Sequence, residues 1–200
     1  MSTELYYIYD THCPWSYASL PLVNEIASTF PDIQLHLWHC ARYEGDENIG
    51  KRVIDEVCAN SNIKFTPAYL SQLSQAKDST LAANFMTWIE QKIPQQALTL
   101  LNVLFNAHFQ KGNELLTFDS VEDILNEFKL SPPQKVFKND KLTKDAEFVQ
   151  FNINELQEFI GTPAIPALLL AVDDKLILLN HNLYLKQPTA IVDAIKLEMK

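Results

Sequence analysis

The chain has 200 residues, of which 47% are hydrophobic, and its formal net charge is -9. This apolar fraction is typical of a globular protein rather than a disordered one, and the negative charge argues against a nucleic-acid partner. The longest apolar stretch, Ile165 to Val172, is far shorter than the roughly 20 residues that span a bilayer, which argues against a membrane partner.

The number of cysteines and the N-terminal residues indicate the cellular compartment. The 3 cysteines are too few for a disulfide scaffold in a chain of this length. The N-terminal residues lack the basic region, apolar segment and small-residue cleavage site of a secretory leader. We therefore expect a cytoplasmic protein with reduced thiols.

Residues 1–41 predict a β-α-β unit. Leu5 to Tyr9 is rich in aromatic and β-branched residues and is the predicted first strand. Apolar residues then recur at helical spacing from Tyr17 to Phe30, with Pro21 inside this helix. Ile33 to Trp38 alternates as a second strand. Because one helix joins the two strands, they should be parallel, and their C-terminal ends should share one edge of the sheet.

Residues 42–157 predict a helical insertion that includes a return helix. This segment has almost no strand signal. Thr66 and Pro67 have the residue types of a helix cap and of a first helical position. Further predicted helices begin near Asp119 and near Ser131, and another runs from Lys144 to Phe159.

Residues 158–200 predict a β-β-α unit. Ala167 to Val172 and Leu176 to Asn180 flank the turn residues Asp173-Asp174-Lys175, as in a hairpin. A closing helix is predicted from Pro188 to Met199. With the insertion removed, the order of elements is that of a thioredoxin core.

The segment Cys13-Pro14-Trp15-Ser16 lies where the first strand passes into the first helix. A helix N-terminus carries partial positive charge and free N–H groups, which favour a thiolate over a thiol. We therefore expect the pKa of Cys13 to fall from about 8.5 to about 7, a change of ~2 kcal/mol. Pro14 suits the first helical turn, and Ser16 occupies the place where the usual redox motif has its second cysteine.

These residues resemble the active-site motif of the DsbA-like group of thioredoxin-fold proteins, with the last cysteine replaced. Pro21 to Ala27 is similar to the kinked helix after that motif, and Leu104 to Phe109 resembles part of the group's helical insertion. Ile165-Pro166-Ala167 resembles the cis-proline loop. The resemblance spans essentially the whole chain and implies an α/β, thioredoxin-like fold with an all-helical insertion domain. Kappa-class glutathione transferases and 2-hydroxychromene-2-carboxylate isomerases share this architecture, with a serine at the position that Cys13 resembles.

The resemblance also implies a cis peptide bond before Pro166, which turns the backbone of Ile165 toward the thiol so that it can pair with an extended substrate. An X–Pro bond needs only about 0.5–1 kcal/mol to be cis. The residues alone leave open two trans prolines, Pro163 and Pro166, that stiffen a loop. The implied site has Cys13 and Ser16 as catalytic residues and Pro14, Trp15, Ile165 and Pro166 as substrate-binding residues.

The missing second thiol leaves three functions open. Disulfide exchange passes through a mixed disulfide that another thiolate must resolve, whereas Ser16 can only donate a hydrogen bond to the Cys13 thiolate. With glutathione or another external thiol as co-substrate, the chain would be a single-cysteine thiol–disulfide oxidoreductase acting on a protein or small-molecule disulfide or thiol. A kappa-type glutathione transferase or isomerase is the second function, and a non-enzymatic interaction module is the third.

Three residues that the sequence places near Cys13 have two interpretations each, and a further cysteine has one. Cys40, at the end of the second strand, is either an internal resolving thiol or a buried packing residue. His12 supplies charge or a proton to the Cys13 sulfur, or is a solvated loop residue. Asp10 caps the turn before the motif or contributes a relay, the cap being favoured, and Cys58 is predicted to pack.

No metal site or resident cofactor is predicted. His36 and His39 are separated by an odd number of residues on a strand, so their side chains should point to opposite faces. With 4 glycines, the chain has neither common phosphate-cradling loop. We expect no metal and no tightly bound cofactor, and the sequence leaves the oligomeric state, a homodimer included, open.

Overall fold

The predicted β-α-β unit opens the fold. It consists of β1 (Thr3–Tyr9), α1 (Pro14–Thr29) and β2 (Gln34–His39). The structure is a computed structural model that describes residues 3–199. Pro14 occupies the first turn of α1, and Pro21 lies inside the helix, as the sequence predicts.

The two strands of this unit are parallel, which confirms the predicted direction. Their pairing runs from Glu4 with Gln34 to Tyr9 with His39. Asp10 and Cys40 therefore follow the two strands at the same edge of the sheet. The Cys40 N–H donates to the Tyr9 carbonyl at 2.8 Å and extends the pairing by one residue.

The insertion is helical, as predicted, but it also contains a small antiparallel ribbon. Thr66 caps its short α3 helix, in agreement with the sequence, whereas the helix predicted near Ser131 is only a 3-10 turn at Gln134–Phe137. The ribbon escaped prediction because its strands are short and mostly charged. The elements in chain order are β3 (Glu44–Glu47), α2 (Lys51–Asn60), α3 (Pro67–Leu70), β4 (Lys77–Asp78), α4 (Thr80–Lys92), α5 (Pro94–Lys111), α6 (Phe118–Glu127) and α7 (Lys144–Ile160).

The second half of the sheet is the predicted hairpin, β5 (Ala167–Val172) and β6 (Lys175–Leu179). The strand order is β2-β1-β5-β6, with β5 antiparallel to both β1 and β6. The predicted closing helix is divided: a 3-10 turn at Pro188–Ala190 precedes α8 (Ile191–Glu198).

Two cores lie on the two faces of the sheet, because successive side chains of a strand point to opposite faces. Leu5, Tyr7 and Tyr9 of β1 belong to the larger core. Ile8 belongs to the smaller core, in which α7 contributes Ile153. Within residues 3–199, no helix is long and apolar enough to cross a membrane.

Candidate active site at the N-terminus of α1

Cys13 is the cap residue of α1. Its backbone is extended, with φ -83° and ψ 116°, and Pro14 follows in the first turn. The Tyr17 N–H donates to the Cys13 carbonyl at 3.1 Å, which closes that turn, and the Cys13 N–H donates to the Asp10 carbonyl at 3.2 Å. The backbone therefore places the sulfur at the helix N-terminus, where the sequence predicts it.

The environment of the Cys13 sulfur differs from the sequence-based expectation. Cys13 is only 6% exposed, and burial raises the pKa of its thiol. Hydrogen bonds from the N–H and hydroxyl of Ser16 and from the Trp15 N–H act in the opposite direction, whereas the Asp10 charge raises the pKa further. The predicted lowering of the pKa is therefore wrong for this structure, because desolvation outweighs the helix N-terminus.

Ser16 is held so that its hydroxyl can donate a hydrogen bond to the Cys13 sulfur. Its Oγ accepts the Asp10 N–H at 3.2 Å, which leaves the hydroxyl hydrogen available to Cys13. The Ser16 carbonyl accepts the Tyr7 hydroxyl at 2.6 Å, and the residue is completely buried. Ser16 is thus a fixed hydrogen-bond donor beside Cys13.

The cis-proline loop lies beside the motif. The peptide bond between Ile165 and Pro166 is cis. A cavity of about 430 Å³ has Trp15 of the motif and both residues of the cis bond in its wall. Pro14 is buried in the helix and is absent from the described lining, so substrate contact through Pro14 has no support from this cavity. The full lining is Trp15, Asn60, Ala164, Ile165, Pro166, His181, Asn182 and Leu185.

Asp10 joins the motif to the insertion through a buried carboxylate. One oxygen accepts the His12 N–H at 2.8 Å, which is the predicted capping role. The other accepts the Arg42 N–H and the Ser79 hydroxyl, each at 2.7 Å. Burial opposes ionisation, but the nearby His39 and His12 and the hydrogen bonds from His12 outweigh it and lower the pKa of Asp10. Asp10 is therefore a buried anion as well as a cap.

A chain of hydrogen bonds runs behind the motif through two histidines. The His12 Nε2 donates to the Glu114 carbonyl at 2.9 Å, because a carbonyl can only accept. Its Nδ1 lies 3.2 Å from the Thr11 hydroxyl, which lies 2.9 Å from the His39 Nε2. The Ala41 N–H donates to the His39 Nδ1 at 3.1 Å, and burial lowers the pKa of His39 to about 4. The Thr11 N–H also donates to the His39 Nε2 at 3.1 Å, so both ring nitrogens of His39 face backbone N–H donors.

This arrangement bears on both interpretations of His12. The residue is completely buried, so it is not a solvated loop histidine. Both ring nitrogens have partners other than the Cys13 sulfur. The predicted supply of charge or a proton to that sulfur therefore lacks a direct contact, and His12 ties the motif to the insertion.

The comparisons with known proteins rest on structure alone. No protein-family model matches the chain, and no curated protein matches its sequence. The cytosolic disulfide reductase DsbM from Pseudomonas aeruginosa, solved with GSH, matches with a TM-score of 0.79 at 16% identity, covering 98% of each chain. A candidate protein disulfide isomerase from Nitrosomonas europaea gives 0.72 at 12% identity, covering 100% of each chain. A periplasmic thioredoxin-like protein from Salmonella enterica serovar Typhimurium gives 0.55 at 17% identity, covering 98% of this chain and 83% of the other.

The chain has a DsbA-like thioredoxin fold. The likeness covers nearly all of the described residues, so the fold and its helical insertion are those that the sequence resemblance implies. In this DsbA-like arrangement the motif at the start of α1 and the loop before β5 lie at the same end of the sheet.

The other two cysteines occupy different surroundings in the DsbA-like fold. Cys40 packs against the smaller core, among residues such as Ile8 and Leu169, and burial raises the pKa of its thiol well above the usual range. This packing fits the second of its two interpretations. Cys58 is exposed, so its predicted packing role is wrong: on α2 the buried side chains are Ile54 and Val57.

Several residues around the motif escaped the sequence analysis. Tyr43 and Tyr69 approach from the insertion, and the rings of Tyr43 and His12 are 6.4 Å apart at an edge-to-face angle. Ser79 bonds to Asp10 across 69 positions of sequence. No local pattern marks such residues, because a folded insertion rather than a spacing rule brings them to the site. Thr11, beside the motif, is the one that sequence position could have suggested.

Proposed function

We propose that this protein is a thiol–disulfide oxidoreductase that works with one active-site cysteine, Cys13, and an external thiol such as glutathione. The observation that supports this most directly is the shared cavity wall of Trp15, Ile165 and the cis-bonded Pro166 next to the capped N-terminus of α1. Cys13 and Ser16 are not among the described lining residues, but Trp15 lies between them in the chain, so the cavity gives a substrate a place against the motif. The loop backbone offers that substrate hydrogen-bonding groups.

The reaction balances in two exchange steps. The Cys13 thiolate attacks one sulfur of a disulfide, RS–SR′, forming a Cys13–SR bond while the S–S bond breaks and R′S⁻ leaves to take a proton from water. An external thiolate then attacks the sulfur of R in the mixed disulfide. It forms a new disulfide with R, and Cys13 leaves as a thiolate. The external thiol supplies the electrons for net reduction of the substrate.

Two features favour an external resolving thiol over an internal one. Ser16 has no redox chemistry, and its hydroxyl is engaged beside Cys13. Cys40 lies against Ile8 and Leu169 in the smaller core. DsbM, which has the same fold, was solved with GSH and is described as a cytosolic disulfide reductase. Glutathione as co-substrate and a cytoplasmic location follow for this chain as parts of the same proposal.

The burial of Cys13 favours a second candidate, a kappa-type glutathione transferase or isomerase. A thiol that is 6% exposed with a raised pKa is a slow nucleophile in the resting protein. In the transferase, Cys13 or Ser16 would donate a hydrogen bond to the sulfur of bound glutathione and would form no covalent bond. The two candidates differ in whether a mixed disulfide forms.

The test is to incubate the reduced protein with glutathione disulfide and to locate the adduct by mass spectrometry. We expect one glutathione on Cys13, released by excess glutathione, together with turnover of a model mixed disulfide that the Cys13→Ser variant loses. Cys58→Ser is the matched control, since it removes an exposed thiol far from the motif in sequence, and it should keep full turnover. Turnover of conjugated substrates without any adduct at Cys13 would assign the transferase instead. Absence of both reactions would leave an interaction module.

A further inference from the structure

The helix α7 has a second apolar face, opposite the side that packs on the sheet. Its buried side contains Ala146 and Ile153, and Ile153 belongs to the smaller core. Its other side exposes three phenylalanine rings by 63%, 58% and 77%, those of Phe148, Phe151 and Phe159. At 3.6 residues per turn, positions three and eleven apart lie on the same face of a helix. The rings therefore form one stripe, about 16 Å long, that faces solvent.

A groove lies beside the C-terminal part of this α7 stripe. It has a volume of about 410 Å³, and its wall includes Phe159 of the stripe together with Trp38 of β2 and Leu176 of β6. Leu178 points to the same face of the sheet as Leu176, two positions away, and is 47% exposed. Because Phe159 belongs to both features, the stripe and the groove form one continuous apolar surface. The described walls of this groove and of the cavity beside the motif share no residue.

The area of this surface is that of an interaction site. A phenylalanine side chain has roughly 150–250 Å² of surface, so the three exposed fractions leave roughly 400 Å² of ring surface in water. A patch of this size is comparable to the largest one on a typical monomer, which is often functional. A stable interface buries about 800 Å² on each partner. The α7 stripe supplies about half of that area, and the groove and the flanking polar residues can supply the rest.

The charges along α7 make the stripe complementary to a second copy of itself. The hollow at the N-terminal end of α7 has a net charge of +2, since four lysines stand against two acidic residues. The C-terminal half of α7 carries the exposed Glu155 and Glu158 and no lysine or arginine. A uniformly acidic or basic partner would match only one end of the stripe, whereas an antiparallel copy matches both. The charged residues of the hollow are Lys135, Lys138, Lys141, Lys144, Asp145 and Glu147.

We propose that the α7 stripe is a homodimer interface, in which two copies of the helix pack antiparallel across a two-fold axis near Phe151. The same surface then contributes from both protomers, as in any two-fold interface. Lys144 and Glu158 are each seven residues from Phe151, so Lys144 of one protomer lies level with Glu158 of its partner. The cavity beside Cys13 stays outside the interface, so this inference goes beyond the proposed function and does not depend on it.

The test is the mass of the reduced protein in solution, measured by size-exclusion chromatography with light scattering at several micromolar concentrations. The wild type should have twice the chain mass of 22.9 kDa. Phe151→Glu places a charge on each protomer at the axis and should give a folded monomer, with circular dichroism as the check of folding. Leu197→Glu is the matched control, since Leu197 is 67% exposed on α8 outside the stripe, and it should stay dimeric.

A charge exchange tests the antiparallel arrangement. Lys144→Glu and Glu158→Lys should each weaken the dimer about tenfold, and the double variant should recover to within about twofold of wild type. Within one helix the two positions are about 21 Å apart, beyond the screening length of about 8–10 Å, so recovery requires pairing between protomers. A monomeric wild type, a dimeric Phe151→Glu or an assembly larger than a dimer would overturn the inference. A double variant that recovers nothing would reject the antiparallel pairing.

Discussion

Cys13 and Cys40 follow two neighbouring parallel strands at one edge of the sheet, yet their surroundings differ. Cys13 begins a helix, next to the fixed hydroxyl of Ser16 and to the cavity that Trp15 lines. Cys40 lies against the apolar side chains of the smaller core. Burial raises the pKa of both thiols, and that of Cys40 lies well above its usual range.

The difference between the two cysteines shows that position at the active edge does not by itself make a reactive thiol. Cys13 differs from Cys40 in two respects. It has hydrogen-bond donors close by, namely the N–H groups of the first helical turn and the Ser16 hydroxyl, and its motif adjoins the cavity beside the cis bond. Cys40 has the backbone N–H of Arg42 nearby but faces an apolar core. The comparison can be tested at each of these points.

The largest expected effect is the pH dependence of alkylation at the two sites. The thiolate is the nucleophile, and below the pKa its fraction rises tenfold with each pH unit, so the Cys13 rate should rise about a thousandfold from about pH 6 to about pH 9. No plateau is expected in that range, because burial raises the pKa of the Cys13 thiol above its ordinary value. Cys40 should react more slowly than Cys13 at every pH. Iodoacetamide labelling resolved by mass spectrometry measures both, and a Cys13 plateau near neutrality would restore the sequence-based expectation.

The next largest effect concerns the anion that supports the Cys13 side of the comparison. Asp10→Asn should lower the free energy of unfolding at neutral pH by about 3 kcal/mol, because an amide nitrogen would face the donors from Arg42 or Ser79. The folded-state pKa of Asp10 is lowered, so its contribution is present above the unfolded pKa and is lost as the pH falls toward the folded value. Urea unfolding curves of the variant and the wild type should therefore converge in acid.

The control for that prediction is Asp193→Asn, whose side chain is 83% exposed on α8. It should change stability by less than about 0.5 kcal/mol at any pH. Equal stability of Asp10→Asn and the wild type at neutral pH would show that the carboxylate network does not hold the motif against the insertion.

Local patterns predicted the elements that local chemistry determines. The aromatic run of β1, the proline at the start of α1 and the turn residues of the β5–β6 hairpin each specify a structure within a few residues. The β-α-β crossover then determined the parallel pairing of β1 with β2. The charged ribbon of β3 and β4 and the short turn at Gln134–Phe137 carry weak local signals, and there the prediction failed.

The site was predicted less completely than the fold because its environment comes from distant segments. The Cys13-to-Ser16 motif and the cis peptide bond before Pro166 were both predicted from the resemblance to DsbA-like proteins. The burial of Cys13, which is 6% exposed, was not visible, because segments distant in the sequence cover a side chain only once the chain has folded. The N–H groups of the first helical turn lower the Cys13 pKa, as the sequence predicts, but desolvation raises it by more, and no sequence spacing reveals desolvation.

The smallest expected effect tests the Cys40 side of the comparison. Cys40→Ala removes one sulfur from the edge of the smaller core, so it should cost about 1 kcal/mol of unfolding free energy or less. It should leave Cys13 alkylation and glutathione-dependent exchange within about twofold of wild type, since Cys40 supplies no hydrogen bond to the motif and resolves nothing in the proposed cycle. Turnover assays and urea unfolding of the same preparation measure both quantities. If Cys40→Ala lost turnover as Cys13→Ser does while remaining folded, the two cysteines would form one redox pair. The distinction drawn from their surroundings would then fail, since Cys40 would have to leave its packing site during the reaction.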